Sequence, residues 1–177
     1  MRKIAAAALA AILLAMPAAA ALTPGARAPA FETRGALAGK AFRLSLAEQL
    51  KKGPVVLYFF PAAFTPGCTA EAHEFAEASD DFRKAGATVI GMSADPIDKL
   101  SAFSREACRD KFAVASATPA IVSGYDVSLK PGATMTSRTS YVIAPNGRIL
   151  YAFTDMNYRS HVKNTLAAVR KWRAAQR

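Results

Sequence analysis

Two short runs dominate the hydrophobic pattern of the chain. Pro54 to Phe60 (Pro-Val-Val-Leu-Tyr-Phe-Phe) and Ala87 to Met92 (Ala-Thr-Val-Ile-Gly-Met) are apolar or β-branched almost throughout. Runs of this kind predict core strands, the first buried on both faces of a sheet. Pro61 stops the first run, and Thr65-Pro66 then supplies an N-cap and a proline at the first helical position. Ala72, Phe75, Ala76, Ser79 and Phe82 follow at helical spacing on one apolar face, which predicts a helix ending at Gly86. Asp95-Pro96 restarts the pattern, with Leu100, Phe103 and Ala107 along one side of a helix reaching Arg109.

The flanking segments are shorter. Residues 22 to 45 are punctuated by Pro and Gly and predict an extended entry with a short hairpin ending in Ala41-Phe42-Arg43-Leu44; Ser45 to Lys51 forms a helical turn. Residues 112 to 133 are mixed, with a weak strand over Phe112 to Ala115 and a Lys130-Pro131-Gly132 turn. Thr139 to Ile143 and Ile149 to Phe153 read as strands joined by an Asn146-Gly147 hairpin signal. Ser160 opens a last helix, whose stripe is Val162, Leu166, Val169 and Trp172. The order strand, helix, strand, helix, hairpin, helix predicts an α/β sandwich with a central mixed β-sheet flanked by helices. At 177 residues, with no internal repeat and no linker, a single domain is expected.

The first residues do not fit that pattern. Arg2 and Lys3 precede an uncharged apolar run from Ile4 to Leu22, broken by Pro17 and followed by Ala18-Ala19-Ala20. A positive start, an apolar stretch and small residues at its end read as a signal peptide over residues 1–21. The mature domain would then be 22–177, exported to an oxidising compartment, with the periplasm as the expected location. An uncleaved membrane anchor is the competing reading, because the run is just long enough to span a bilayer. Proline and the alanines behind it favour cleavage, which leaves no stable membrane insertion.

Net charge is +10 and falls to +8 without Arg2 and Lys3. The basic residues are scattered rather than interleaved with aromatics, so no nucleic-acid partner is expected. The denser set Lys163, Arg170, Lys171, Arg173 and Arg177 suits the solvated face and last turn of a helix. No grouping of His, Cys, Asp and Glu has metal-ligand spacing, and neither a metal nor another cofactor is expected. His73 and His161 read as surface residues of helices.

Two cysteines remain to be explained. With Thr65 as N-cap, Cys68 occupies the third position of the helix. Unpaired backbone N–H groups and the positive end of the helix dipole there stabilise a thiolate, the nucleophilic form of cysteine. A buried small hydrophobe is the bland alternative, and Cys68 alone does not separate the two.

Its neighbours do. The segment Pro61-Ala-Ala-Phe-Thr65-Pro-Gly-Cys68 carries Pro-x-x-x-Thr-x-x-Cys and resembles the active-site loop of the peroxiredoxins. The longer string Thr-Pro-Gly-Cys-Thr-x-Glu-Ala is similar to the bacterioferritin-comigratory-protein, or peroxiredoxin Q, branch. Val89 to Asp95 resembles the family strand ending in Ser-x-Asp, and Ser137 to Ile143 its arginine-bearing strand. The likeness runs in order from about residue 24 to 173.

The resemblance implies a thioredoxin-like fold and a thiol-dependent peroxidase acting on hydrogen peroxide and organic hydroperoxides. Cys68 would attack the peroxide and become a sulfenic acid. Thr65 would offer its hydroxyl to the peroxide, and Arg138 would hold thiolate and peroxide oxygens with its fork of donors. Pro61 would pack over the sulfur and shield it. Glu71 would bond Arg138 or cap the helix. Each has a plainer reading: Thr65 as N-cap, Pro61 as strand terminator, Arg138 and Glu71 as surface charges. Arg148 is the rival cation, though its hairpin position suits solvent.

Some members of the branch carry a resolving cysteine five residues after the first; here that position is His73. Cys108 is then the candidate to close an intramolecular disulfide with Cys68, its reactivity raised by flanking Arg105, Arg109 and Lys111. A thioredoxin-like protein would reopen the bridge, and the branch points to a monomer. Two other readings stay open: a one-Cys peroxidase with Cys108 a bystander, and a non-enzymatic module with a permanent Cys68–Cys108 bridge. A dithiol oxidoreductase would need Cys-x-x-Cys, and Thr65-Pro66-Gly67-Cys68 is one thiol short. Finally, Ala62-Ala63-Phe64 stand where the branch often has polar residues, an apolar mouth that would suit bulky or lipid-like hydroperoxides.

Overall fold

The structure, a computed structural model, describes residues 21–176. The signal segment expected over residues 1–21 lies, but for Ala21, outside them. Among the described residues no helix is long and apolar enough to cross a membrane.

The elements are β1 (Glu32–Leu37), β2 (Lys40–Ser45), α1 (Leu46–Leu50), β3 (Val55–Phe59), α2 (Pro66–Glu77), α3 (Ser79–Lys84), β4 (Thr88–Ser93), α4 (Ile97–Glu106), β5 (Ala113–Ser116), α5 (Pro119–Gly124), β6 (Thr139–Ile143), β7 (Ile149–Thr154) and α6 (His161–Ala174). They build one seven-stranded sheet in the order β2-β1-β5-β4-β3-β6-β7. β4 pairs in parallel with β3 and with β5, while the hairpins β1–β2 and β6–β7 and the β3–β6 contact are antiparallel. This is the mixed sheet the element order predicts, in the thioredoxin-like arrangement the family resemblance implies.

β3 divides the core. Val56, Tyr58 and Phe60 join an apolar cluster with Ala72 and Phe75 of α2, Phe82 of α3, Leu100 and Phe103 of α4 and Val169 of α6. Val55, Leu57 and Phe59 point the other way, onto Leu46 and Leu50 of α1 and Ile121 and Val122 of α5. Alternation with period two feeds both faces of a buried strand, which is why its sequence shows no polar positions.

Three boundaries differ from expectation. The helix foreseen from Pro66 to Gly86 breaks at Ala78, whose ψ of 0° leaves the helical range; beside it the Ser79 hydroxyl donates to the Ala76 carbonyl (2.7 Å), a local bond that competes with helix continuation. The helix foreseen to Arg109 ends at Glu106, because Arg109 and Asp110 both adopt positive φ (51° and 58°). Inside the mixed stretch, Thr118 caps α5 by accepting from the Ile121 N–H, with Pro119 at the first helical position.

Candidate active site

The site forms where β3 gives way to α2. The Phe60 N–H donates to the Met92 carbonyl (2.9 Å), the last bond to β4, and half-buried Pro61 has no N–H to continue the ladder. The chain then loops through Ala62 to Thr65. Asp95 holds this loop: its carboxylate accepts from the Ala63 N–H (2.7 Å), the Ser93 hydroxyl (2.7 Å) and Lys99 Nζ (2.8 Å). Burial alone would push the Asp95 carboxyl up, but these donors hold it below the ordinary carboxylate range. The Phe64 backbone is left-handed (φ 67°), and its exposed ring meets Phe103 edge-on at 5.2 Å.

Thr65 and Pro66 open α2 as expected, placing Cys68 at the third position of its first turn. The Thr65 side chain does not cap the helix. Its hydroxyl donates to the Ala62 carbonyl (3.0 Å), and the residue is exposed. The N–H groups of Gly67 and Cys68, in the first turn of α2, lack intrahelical partners. The Cys68 side chain itself is 1% exposed.

Arg138 comes from the residue before β6. Its position is fixed by Thr136, whose buried hydroxyl donates to the Phe60 carbonyl (2.7 Å) and ties this strand entrance to the start of the active loop. Each edge of the guanidinium is used: Nη2 donates to Cys68 Sγ (3.5 Å), Nε to the Met156 carbonyl (3.0 Å) and Nη1 to Glu71. A full positive charge therefore stands against the sulfur in a buried setting, where the low dielectric strengthens the attraction. Neighbouring Glu71 and Cys68 raise the Arg138 pKa despite its burial, so the charge is permanent.

Glu71, one turn beyond Cys68, is fully buried rather than on the surface. Burial pushes its carboxyl up to about 8, against the opposing pull of Arg138. One of its oxygens pairs with Arg138; the other has no hydrogen-bond partner and lies 3.9 Å from His161 Nδ1. His161 is the further correction: as the first residue of α6 it is fully buried, not a surface residue. Its Nε2 contacts the Asp155 carbonyl (2.9 Å), which can only accept, so this nitrogen carries the proton. Burial lowers the His161 pKa and keeps the ring neutral, leaving Nδ1 to accept from the Ser140 hydroxyl (2.8 Å).

Arg148, the rival cation, is exposed and donates to the Gly25 carbonyl (2.8 Å). It serves the N-terminal segment and takes no part in the site.

Cys108 is a free thiol, as is Cys68, and both lie in the same apolar cluster. Cys108 sits just past the end of α4, where its N–H donates to the Phe103 carbonyl (3.1 Å). The flanking basic residues do not activate it as expected: complete burial pushes its thiol far up, and Asp110 adds to the shift. Arg105 and Lys111 are exposed, so water screens their charge, whereas the sulfur has none around it.

Of the residues singled out from the sequence, the structure brings Cys68, Arg138 and Glu71 into contact; Asp95, His161 and the Met156 carbonyl were not foreseen there. Ser93-x-Asp95 was visible as a motif, but only the fold shows that its carboxylate reaches back to Ala63.

A cysteine in the first turn of a helix, faced by a buried arginine where β3 ends and β6 begins in a thioredoxin-like sheet, defines a thiol-dependent peroxidase. The chain belongs to the AhpC/TSA family, whose model matches residues 24–152. Among its relatives are a Mycobacterium tuberculosis protein bearing a peroxiredoxin name, 35% identical over 147 residues (80% of this chain, 90% of the relative), and the chloroplastic peroxiredoxin Q of rice, 32% identical over 146 residues (82% and 65%). Among solved structures, the peroxidoxin BcpB of Mycobacterium tuberculosis is 30% identical with a TM-score of 0.75 (84% of this chain, 96% of that one). Peroxiredoxin Q of Xanthomonas campestris is 25% identical with a TM-score of 0.69 (79% and 90%).

Proposed function

We propose that Cys68 reduces peroxides through a sulfenic acid and that Cys108 then resolves it as an intramolecular disulfide. The thiolate sulfur attacks the terminal peroxide oxygen. The O–O bond breaks, oxygen stays on sulfur, and the departing alkoxide or hydroxide collects a proton to leave as alcohol or water. Arg138 stays hydrogen-bonded while negative charge moves from sulfur to oxygen, which is where preorganised donors lower a barrier most. Thr65 would turn its hydroxyl from Ala62 toward the peroxide, and Pro61 would cover the site. The observation carrying this reading is the 3.5 Å contact of Arg138 Nη2 with Cys68 Sγ in the first turn of α2.

Cys108 is buried and its thiol strongly protonated, so resolution requires its turn to open. Arg109 and Asp110, two consecutive non-glycine residues at positive φ, make that turn strained and suited to opening. The same burial favours a second reading, a one-Cys peroxidase in which an external thiol meets the sulfenic acid. One experiment separates them. Reduced protein receives one equivalent of hydrogen peroxide and is weighed intact. Loss of two hydrogens supports resolution by Cys108; gain of one oxygen that persists supports the one-Cys cycle; no change in mass contradicts both.

The proposed substrates are hydrogen peroxide and organic hydroperoxides. A Xanthomonas campestris bacterioferritin comigratory protein, 25% identical with a TM-score of 0.69, is described by its alkyl peroxide reduction activity. Of the apolar trio, Ala63 is buried and Phe64 is exposed at the loop, so Phe64 is the residue that would greet a bulky hydroperoxide. The proposed reductant is a thioredoxin-like protein, and the working form a cleaved, exported monomer, most simply periplasmic.

A further inference from the structure

The Glu71 carboxyl group is fully buried, and its two oxygens meet different neighbours. Oε2 accepts from Arg138 Nη1. Oε1 has no hydrogen-bond partner and stands 3.9 Å from His161 Nδ1. That nitrogen is itself an acceptor: Nε2 carries the ring proton toward the Asp155 carbonyl (2.9 Å), and the Ser140 hydroxyl donates to Nδ1 (2.8 Å). An ionised Glu71 would set an oxygen lone pair against a nitrogen lone pair inside the protein. Buried acceptors left without a donor are costly. A proton on Oε1 turns the pair into donor and acceptor.

Arg138 brings one positive charge, and two groups that can be anionic meet it: Glu71 at Nη1 and the Cys68 sulfur at Nη2 (3.5 Å). Its third edge takes the neutral Met156 carbonyl. All three side chains are buried, so a net charge left among them costs far more than one at the surface. One cation with one anion is the neutral arrangement. Burial pushes the Glu71 carboxyl up to about 8, in keeping with a proton held there at neutral pH. The other titratable groups near Glu71 leave this balance alone. His161 of α6 is neutral, the Tyr58 phenol of β3 stays protonated, and half-buried Glu74 of α2 adds only a like charge. Arg159, in the turn before α6, is exposed and acts on Glu74.

We infer that Cys68 and Glu71 hold a single proton between them across Arg138, so that Glu71 is neutral while the sulfur is a thiolate and becomes the counter-ion of the arginine once the sulfur's charge has gone. This rests on Cys68 being the sulfur that reduces peroxide. Glu71 does not touch the peroxide; it acts through Arg138, as a positioning residue that keeps the guanidinium balanced. In the oxidation step the thiolate attacks a peroxide oxygen. An S–O bond forms, the O–O bond breaks, the sulfur is oxidised and the peroxide reduced. The departing hydroxide takes up one proton and leaves as water. The sulfenic acid is neutral, so Arg138 has lost its anion at Nη2. Glu71 then releases one proton, and the attraction of Arg138 offsets the cost of ionising it. Uptake and release cancel, and the medium supplies no net proton. With glutamine in place of Glu71 nothing is released, and each peroxide draws one proton from solution.

The test counts protons. Reduced wild type and Glu71→Gln, in weak buffer near neutral pH with a pH indicator, each receive one equivalent of hydrogen peroxide. Intact mass shows whether the sulfur has been oxidised. Wild type is expected to take up no proton per peroxide and Glu71→Gln to take up one. A sulfenic acid and a thiol give a disulfide and water without moving a proton, so the count holds whether or not Cys108 resolves. Wild type alone supplies a second measurement. Its uptake should climb from none toward one proton as the pH passes about 8, where Glu71 no longer holds a proton at rest. The variant should stay near one throughout. Uptake of one proton by wild type at neutral pH overturns the inference, and so does equal uptake in the two proteins. Should the variant fail to fold or to be oxidised, the wild-type profile decides, and a count that does not change with pH overturns the inference. A wild type that peroxide leaves unchanged in mass contradicts the Cys68 reading itself, and the inference with it, before any proton is counted.

Discussion

Arg138 and Cys68 lie 70 positions apart in the chain, yet Nη2 of one donates to Sγ of the other at 3.5 Å. The guanidinium is held from its other edges by Glu71 and the Met156 carbonyl, so it cannot follow a loose sulfur; the sulfur is brought to it. The account of the site depends on this pair, and Arg138→Met is its direct probe. The variant loses a charged donor in a water-poor site and leaves Glu71 buried without its cation. Peroxide oxidation of Cys68 is expected to fall by about 10²–10³-fold in stopped flow. Arg138→Lys should recover little of it, since a compact ammonium cannot span partners arranged around the Nε, Nη1 and Nη2 edges of a planar fork.

Glu71 gives a pH signature in stability. Its folded pKa, raised to about 8, lies above its ordinary value of 4.5. Between those values the folded state holds a proton that the unfolded state has released. Its contribution to stability is therefore full below about pH 4.5 and is lost as pH rises through about 8. Urea unfolding of the reduced protein, compared with Glu71→Gln across that window, should show wild type losing stability relative to the variant as pH increases. Parallel curves would contradict the assignment.

His161 works in the opposite sense. Its folded pKa is depressed below 6.5, so below that value the unfolded state binds a proton that the folded state refuses. Stability carried by His161 is present above about pH 6.5 and is lost as the medium becomes more acidic. His161→Asn should lower stability at neutral pH, by leaving Ser140 or the Asp155 carbonyl unmatched, and should flatten the acid limb of the unfolding curve.

Asp95 predicts an effect on activity from outside the helix. Asp95→Ala frees the Ala63 N–H, Ser93 and Lys99 together. An unmatched N–H and a released loop should lower stability by about 1–3 kcal/mol. The rate of Cys68 oxidation should fall while the products stay the same, as measured by stopped flow and intact mass.

Phe64 tests substrate choice. Phe64→Gly accepts the left-handed backbone without difficulty and removes only the exposed ring and its edge contact with Phe103. The ratio of cumene hydroperoxide to hydrogen peroxide reactivity should drop, with the hydrogen peroxide rate nearly unchanged. A ratio equal to wild type would remove Phe64 from any role in selecting substrates.

The strands and the nucleophile were legible because local rules govern them. The short, β-branched and aromatic Pro54–Phe60 run pointed to a doubly buried strand, and Thr65-Pro66 placed Cys68 in a first turn. The same Thr-Pro signature at Thr118-Pro119 opens α5, but the mixed composition around it hid the helix. His161 was read as a surface residue, and the burial of Glu71 was not foreseen beside its expected bond to Arg138, because helical position alone says nothing of what packs above; the meeting of α2 with α6 buries both. The chemistry of Cys108 was misjudged for a related reason. Sequence places Arg105, Arg109 and Lys111 beside it, while the fold turns the sulfur inward and the cations toward water.

The most direct test of the central claim is the second-order rate of hydrogen peroxide reduction by the reduced protein at neutral pH, with Cys68→Ser beside it. The account predicts a wild-type rate orders of magnitude above that of free cysteine and none in Cys68→Ser. A wild type no faster than free cysteine, or a Cys68→Ser variant that still consumes peroxide, would contradict it.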